Sequence, residues 1–71
     1  MRLLYIDRMG SLHIWNNVEE GGSFVYNNSL STYNGEPCDQ FEQFNIEDIL
    51  EELDSEIVDD LNDGYEVFVN D

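Results

Sequence analysis

From residue 46 onward seven apolar residues, Ile46, Ile49, Leu50, Leu53, Ile57, Val58 and Leu61, recur at helical spacing, and most positions between them are Asp or Glu. A stripe of that period belongs to an amphipathic helix. Such a helix can bury its stripe only against another layer, so the rest of the chain must supply one. The spacing predicts a helix over 45–63, with Asn45 as N-cap and Glu47 and Asp48 at the positive end of its dipole. Gly64 suits the residue that ends it. Asp54-Ser55 is a point at which the run can break, with Ser55 capping a second helix. The apolar phase survives across that point, so one helix is expected, straight or bent there.

The other layer is a sheet. Residues 2–8 and 12–16 read as two strands joined by a turn at Met9-Gly10-Ser11. In the second strand Leu12 and Ile14 share one face, with His13 and Trp15 on the other. Residues 23–27 read as a third strand, and Asn27-Asn28 can turn the chain into a fourth, Leu30 to Tyr33. Asn34-Gly35-Glu36-Pro37 is a break. Residues 65–70 read as a last strand, with Tyr65, Val67 and Val69 on one face. The expected class is α+β, in the order β-β-β(-β)-α-β: a small antiparallel sheet of three to five strands carrying the helix on one face. All 71 residues form one domain, with 1–35 a β-rich hairpin region and 36–71 the acidic helix plus the C-terminal strand. If the helix covers one face only, Trp15 is exposed for a partner or for a homodimer contact. Phe41 and Phe44 are expected to anchor the loop before the helix.

Charge is the outlier. Seventeen acids stand against two arginines and no lysine, a formal net charge of −15. Small domains are commonly built with a magnitude of about 2 to 8, because self-repulsion opposes compaction. The charge is also segregated. Residues 1–35 carry Asp7, Glu19 and Glu20 against Arg2 and Arg8, whereas residues 36–71 carry fourteen acids and no base. Adaptation to high salt would spread the acids throughout. On the helix, Glu47, Asp48, Glu51, Glu52, Asp54, Glu56, Asp59, Asp60 and Asp63 give about one charge per 2.7 Å of a continuous axis. Duplex DNA carries one per about 1.7 Å and a single strand one per about 3.4 Å. Like-charge pairs at i,i+4 (Glu47–Glu51, Asp48–Glu52, Glu52–Glu56, Glu56–Asp60) each cost about 0.2–0.5 kcal/mol, with no cation interleaved to offset them.

Chemistry finds little support. A calcium loop with Gly64 at its sixth position puts Leu61 at the third and Asn70 at the twelfth, where oxygen ligands and a bidentate glutamate are needed. One His13 and one Cys38 cannot make a zinc site. Cys38 lies amid acids, a field that raises a thiol pKa, so a Cys38–His13 nucleophile is not expected. Cys38 reads as a half-buried small residue and His13 as a solvent-facing strand residue. No metal, no cofactor and no enzymatic activity are expected. One cysteine excludes an intrachain disulfide and fits a reducing cytosol, and no segment reads as a secretory leader or a membrane span. An anionic membrane surface would repel the chain.

In size, charge and a carboxylate-rich helix beside a small sheet, the chain resembles the small acidic phage-encoded nucleic-acid mimics: anti-CRISPR proteins, anti-restriction proteins and inhibitors of uracil-DNA glycosylase. That resemblance covers about half the chain and rests on no specific motif. It implies evasion of host defence by occupying the basic channel of a nucleic-acid-binding protein, most directly a CRISPR effector, in the host cytoplasm and without binding nucleic acid itself. The expected contacts are Glu47, Asp48, Glu51, Glu52, Glu56, Asp59, Asp60 and Asp63, with Asp39, Glu42, Asp54 and Trp15 secondary. The rival is a small acidic adaptor that docks on a basic surface unrelated to nucleic acid.

Overall fold

The computed structural model describes residues 1–27, 30–42 and 46–70. Its elements are β1 (Arg2–Ile6), β2 (Leu12–Trp15), β3 (Phe24–Asn27), β4 (Leu30–Tyr33), β5 (Glu36–Pro37), β6 (Asp39–Phe41), α1 (Glu47–Glu51), α2 (Ser55–Asn62) and β7 (Val67–Val69). The class is α+β, as expected. The strands form two antiparallel sheets, one in the order β6-β2-β1-β7 and one in the order β3-β4-β5.

The larger sheet is the middle layer. Registers of Leu4 with Ile14 and with Val67 gather Leu4, Leu12, Ile14 and Val67 on one face. There they meet Ile46, Ile49, Leu50, Leu53, Ile57 and Leu61 from the helical segment. The opposite registers, Leu3 with Trp15 and with Phe68, put those side chains on the other face, against Tyr33 and Phe24 of the smaller sheet. β2 is buried along its whole length. Burying a large apolar side chain stabilises by about 1.5–3 kcal/mol, so a middle sheet that buries both faces carries most of the core.

This overturns one expectation. The face opposite the helices is covered by a second sheet, so Trp15 is 3% exposed and donates its indole N–H to the Glu36 carbonyl at 3.0 Å. It does not project from an open sheet face, as the partner or homodimer contact would require. His13, read as solvent-facing, is 0% exposed for the same reason.

Local chemistry explains the connections. In the β1–β2 turn Asp7 Oδ1 accepts the backbone N–H groups of Met9 at 2.9 Å and Ser11 at 3.0 Å, and Gly10 has φ +83°. Asn34 and Gly35 both take positive φ, 53° and 81°, which is what a two-residue hairpin turn between β4 and β5 requires. The break expected at 34–37 is thus a hairpin plus a two-residue strand, and Pro37 is tolerated because β5 is an edge. β6, three residues long, forms the edge of the other sheet. Phe41 sits in β6 and packs on the helix-side core, while Asn28, Phe44 and Asn45 lie outside the described residues.

The helical segment is broken. α1 ends with Glu52 as its cap, Asp54 is extended (φ −63°, ψ 147°), and α2 starts at Ser55. The cap position of α2 is therefore Asp54 rather than Ser55, and that of α1 is Ile46 rather than Asn45. The apolar phase persists because both helices lie on one sheet face. The break separates Glu52 from Glu56, so one of the four repulsive i,i+4 pairs does not form. At the other end the expectation holds. Gly64 has φ +91°, its N–H bonds to Leu61 O at 3.1 Å, and the Tyr65 N–H bonds to Asp60 O at 3.1 Å, a Schellman closure.

One glycine is required for space. A Cβ on Gly22 would meet the Tyr33 ring, and it would lie 2.6 Å from the Asn34 amide nitrogen. The close approach lets the Gly22 N–H donate to the Tyr33 hydroxyl at 2.7 Å, while that hydroxyl donates to Glu19 O at 2.5 Å. Gly22→Ala should cost about 1–3 kcal/mol through overpacking. A urea midpoint unchanged from the parent would show that the loop gives way freely.

Candidate functional site

Two features stand out: a carboxylate surface on the helices and a polar cluster between the sheets. On the helices the apolar side chains other than Val58 pack on the sheet, and the acidic positions face water. Glu47, Asp48 and Glu51 on α1, Glu52 at its end, Asp54 before α2, Glu56, Asp59 and Asp60 on α2, and Asp63 at its end are all exposed. Asp39 on β6 and Glu42 just after it are exposed too. Asp39 pairs with Ile14 and sits in the edge strand β6. The structure thus brings the eight principal sequence-derived positions and Asp54 onto one outer layer, and removes Trp15 from the set.

The field there is uncompensated. Among the described residues none of these acids has an ion-pair partner. The two arginines lie in β1 and the turn after it. The break changes how the charge density is reckoned, because a single straight axis no longer exists. On α2 and its caps alone, five acids from Asp54 to Asp63 still give about one charge per 2.7 Å of axis. That lies between the duplex and single-strand spacings of nucleic acid, about 1.7 and 3.4 Å. Added monovalent salt screens such repulsion and should raise the melting temperature up to about 0.5 M. A flat or falling melting curve over that range would show that the acids do not oppose the fold.

The polar cluster was not foreseen. His13 is held on both ring nitrogens: Nε2 lies 2.8 Å from Asp7 Oδ2, and Nδ1 makes a short hydrogen bond with the Ser31 hydroxyl. Cys38 Sγ lies 3.3 Å from Ser31 Oγ and 3.4 Å from His13 Nδ1. Four segments meet in this cluster, so it latches the smaller sheet onto the larger. Carboxylate, imidazole and hydroxyl in this order also occur in nucleophilic enzymes. Here His13 is 0% and Ser31 1% exposed, which leaves no approach for a substrate to Ser31 Oγ. Cys38 is half-buried, as expected. The sequence did hold a signal for His13: it shares its strand face with the large apolar ring of Trp15.

Asp7 is the titrating member with a clear displacement. Burial pushes its carboxyl up. The hydrogen bonds from His13 and from the Ser11 and Met9 N–H groups outweigh burial and hold it below the ordinary value of 3.8. A depressed carboxyl contributes stability that is present above the unfolded value and lost as pH falls through the folded one. Through Asp7, stability should therefore fall as pH drops below about 4. Asp7→Asn should flatten the acid limb and cost about 1–3 kcal/mol near neutrality. Urea midpoints across pH 2–8 check both, and an acid limb as steep in Asp7→Asn as in the parent would contradict this role of Asp7.

No helix among the described residues is long and apolar enough to cross a membrane. No group of three or more metal-binding side chains occurs among the described residues. Comparison with models of known protein families, with curated proteins and with solved structures gave no match.

Proposed function

We propose that the protein is an anionic inhibitor that occupies the nucleic-acid channel of a basic nucleic-acid-binding protein. The observation that carries this reading is the outer layer of nine exposed helix carboxylates, from Glu47 to Asp63, with no ion-pair partner among the described residues. A solvated surface made for solubility alone mixes signs, because unrelieved like charges cost stability. A layer that keeps the cost offers a use for it: a basic channel releases the counter-ions of both partners on binding. The likeness to acidic phage-encoded mimics points to a host defence enzyme such as a CRISPR effector as the target, in the bacterial cytoplasm. The action is occlusion, with no catalytic step.

The test is capture of binding proteins on the immobilised chain, followed by elution with excess duplex or guide RNA. Elution by nucleic acid supports the reading. Retention against nucleic acid, with release by salt alone, supports the rival adaptor that docks on a basic surface of another kind.

A further inference from the structure

Where β2 runs into the segment from Asn16 to Glu19, a cleft of about 530 Å³ opens between the ends of the two sheets. That volume lies within the range of about 300–1,000 Å³ common for small-ligand sites. The buried rings of Trp15 and Tyr33 form its floor, and Val18 and Pro37 add apolar wall. Glu19, Glu36 and Asp39, all exposed, stand around it.

The segments that carry these carboxylates are fixed to the floor. The Glu19 carbonyl accepts the Tyr33 hydroxyl, and the Glu36 carbonyl accepts the Trp15 indole. Asp39 is held by its register with Ile14. The ordering cost of the site is therefore met on folding rather than on binding. None of the three carboxylates has an ion-pair partner among the described residues, and neither arginine lines the cleft.

A lining more polar than apolar, with Val18 and Pro37 as an apolar part and carboxylates at the rim, fits a cation on a slender apolar stem. The guanidinium of arginine matches it best: planar, weakly hydrated, and with a fork of donors for carboxylate and side-chain amide oxygens. Its methylene stem can cover Val18 and Pro37 while the charged head reaches the rim. Lysine offers a compact, strongly hydrated point charge instead.

We propose that this cleft receives an arginine side chain of the basic partner, as a contact separate from the helix surface. The partner's basic character rests on the function proposed above; the test does not need the partner. Nα-acetyl-arginine methylamide is titrated into the full chain, with Trp15, the one tryptophan, as fluorescence reporter and amide NMR spectra in parallel. The expected result is a saturable response, with movement of the Trp15 indole N–H and the Asn34 and Glu36 amides. The lysine analogue should bind about fivefold more weakly, and the neutral citrulline analogue should give no saturable response. Glu19→Gln with Glu36→Gln should weaken arginine binding about fivefold, with the fold checked in the same spectra.

An unsaturable drift, an equal response to lysine or citrulline, no effect of the double variant, or shifts confined to residues 47–63 would each overturn the proposal. Such a failure leaves the helix-surface reading standing. Failure of nucleic acid to displace the captured partner would sink that reading and leave the cleft untouched.

Discussion

His13→Ala is expected to cost about 3–5 kcal/mol, because it strips hydrogen bonds from a buried carboxylate and a buried hydroxyl and leaves a ring-sized cavity. The reason lies in what remains. Asp7 would keep its two backbone N–H bonds but lose the Nε2 contact, while the Ser31 hydroxyl would lose Nδ1. A cavity would open between the sheets, beside the rings of Tyr5, Trp15 and Tyr26 that now pack on the imidazole. For 71 residues the total stability should be roughly 4–11 kcal/mol, so this one change removes a large share of it. The pairing itself is tested by a double-mutant cycle. Asp7→Ala with His13→Ala should cost less than the two single changes added together, by about 0.5–3 kcal/mol. Strict additivity in chemical denaturation would show that the two side chains do not act as a unit.

The second large effect concerns binding. Glu51→Lys with Glu52→Lys should weaken binding to a basic partner about 100-fold, taking about 1.5 kcal/mol for each lost close charge pair. The same changes should not harm the fold. Both positions are exposed at the end of α1. Glu51→Lys places a cation four residues after Glu47, and Glu52→Lys does so after Asp48. Two repulsive pairs become attractive ones in the favourable orientation, worth about 0.2–0.5 kcal/mol each in the stabilising direction. A variant that melts higher yet binds worse separates function from folding. Calorimetric titration against the captured partner, with thermal melts in parallel, reads both. A loss of binding accompanied by a lower melting temperature would mean that the changes act through structure.

The helical phase of Ile46 to Leu61 named the residues that pack on the sheet, Val58 excepted, and Gly64 named the end of α2 through its left-handed backbone. Alternation in β1 and β2 gave the hairpin. The break at Glu52–Asp54 was harder, because both helices present one stripe to one sheet and the apolar phase does not record the interruption. The second sheet was missed for a different reason. β5 and β6 have two and three residues, too few to show a period. Yet β1 and β2 carry large side chains on both faces, Leu4, Leu12 and Ile14 on one and Leu3, Tyr5 and Trp15 on the other. That pattern belongs to strands covered on both sides.

The candidate site was legible to a similar extent. Exposure of the helix acids follows from their positions opposite the apolar stripe, so all eight principal positions lie where the sequence placed them. Trp15 does not, because its exposure depended on an uncovered sheet face. The Asp7–His13–Ser31–Cys38 cluster joins residues up to 25 apart in the chain. No local period links them, and only the pairing of two sheets brings them together.

On the proposed function, the helix carboxylates and nucleic acid compete for one surface. The most direct measurement is equilibrium titration of this protein into a preformed complex between the partner and labelled nucleic acid, followed by fluorescence anisotropy. Complete release of the labelled strand is predicted, with an apparent affinity that weakens in proportion to the nucleic acid present and falls steeply with salt. A ternary complex in which the nucleic acid stays bound at saturating protein would contradict it.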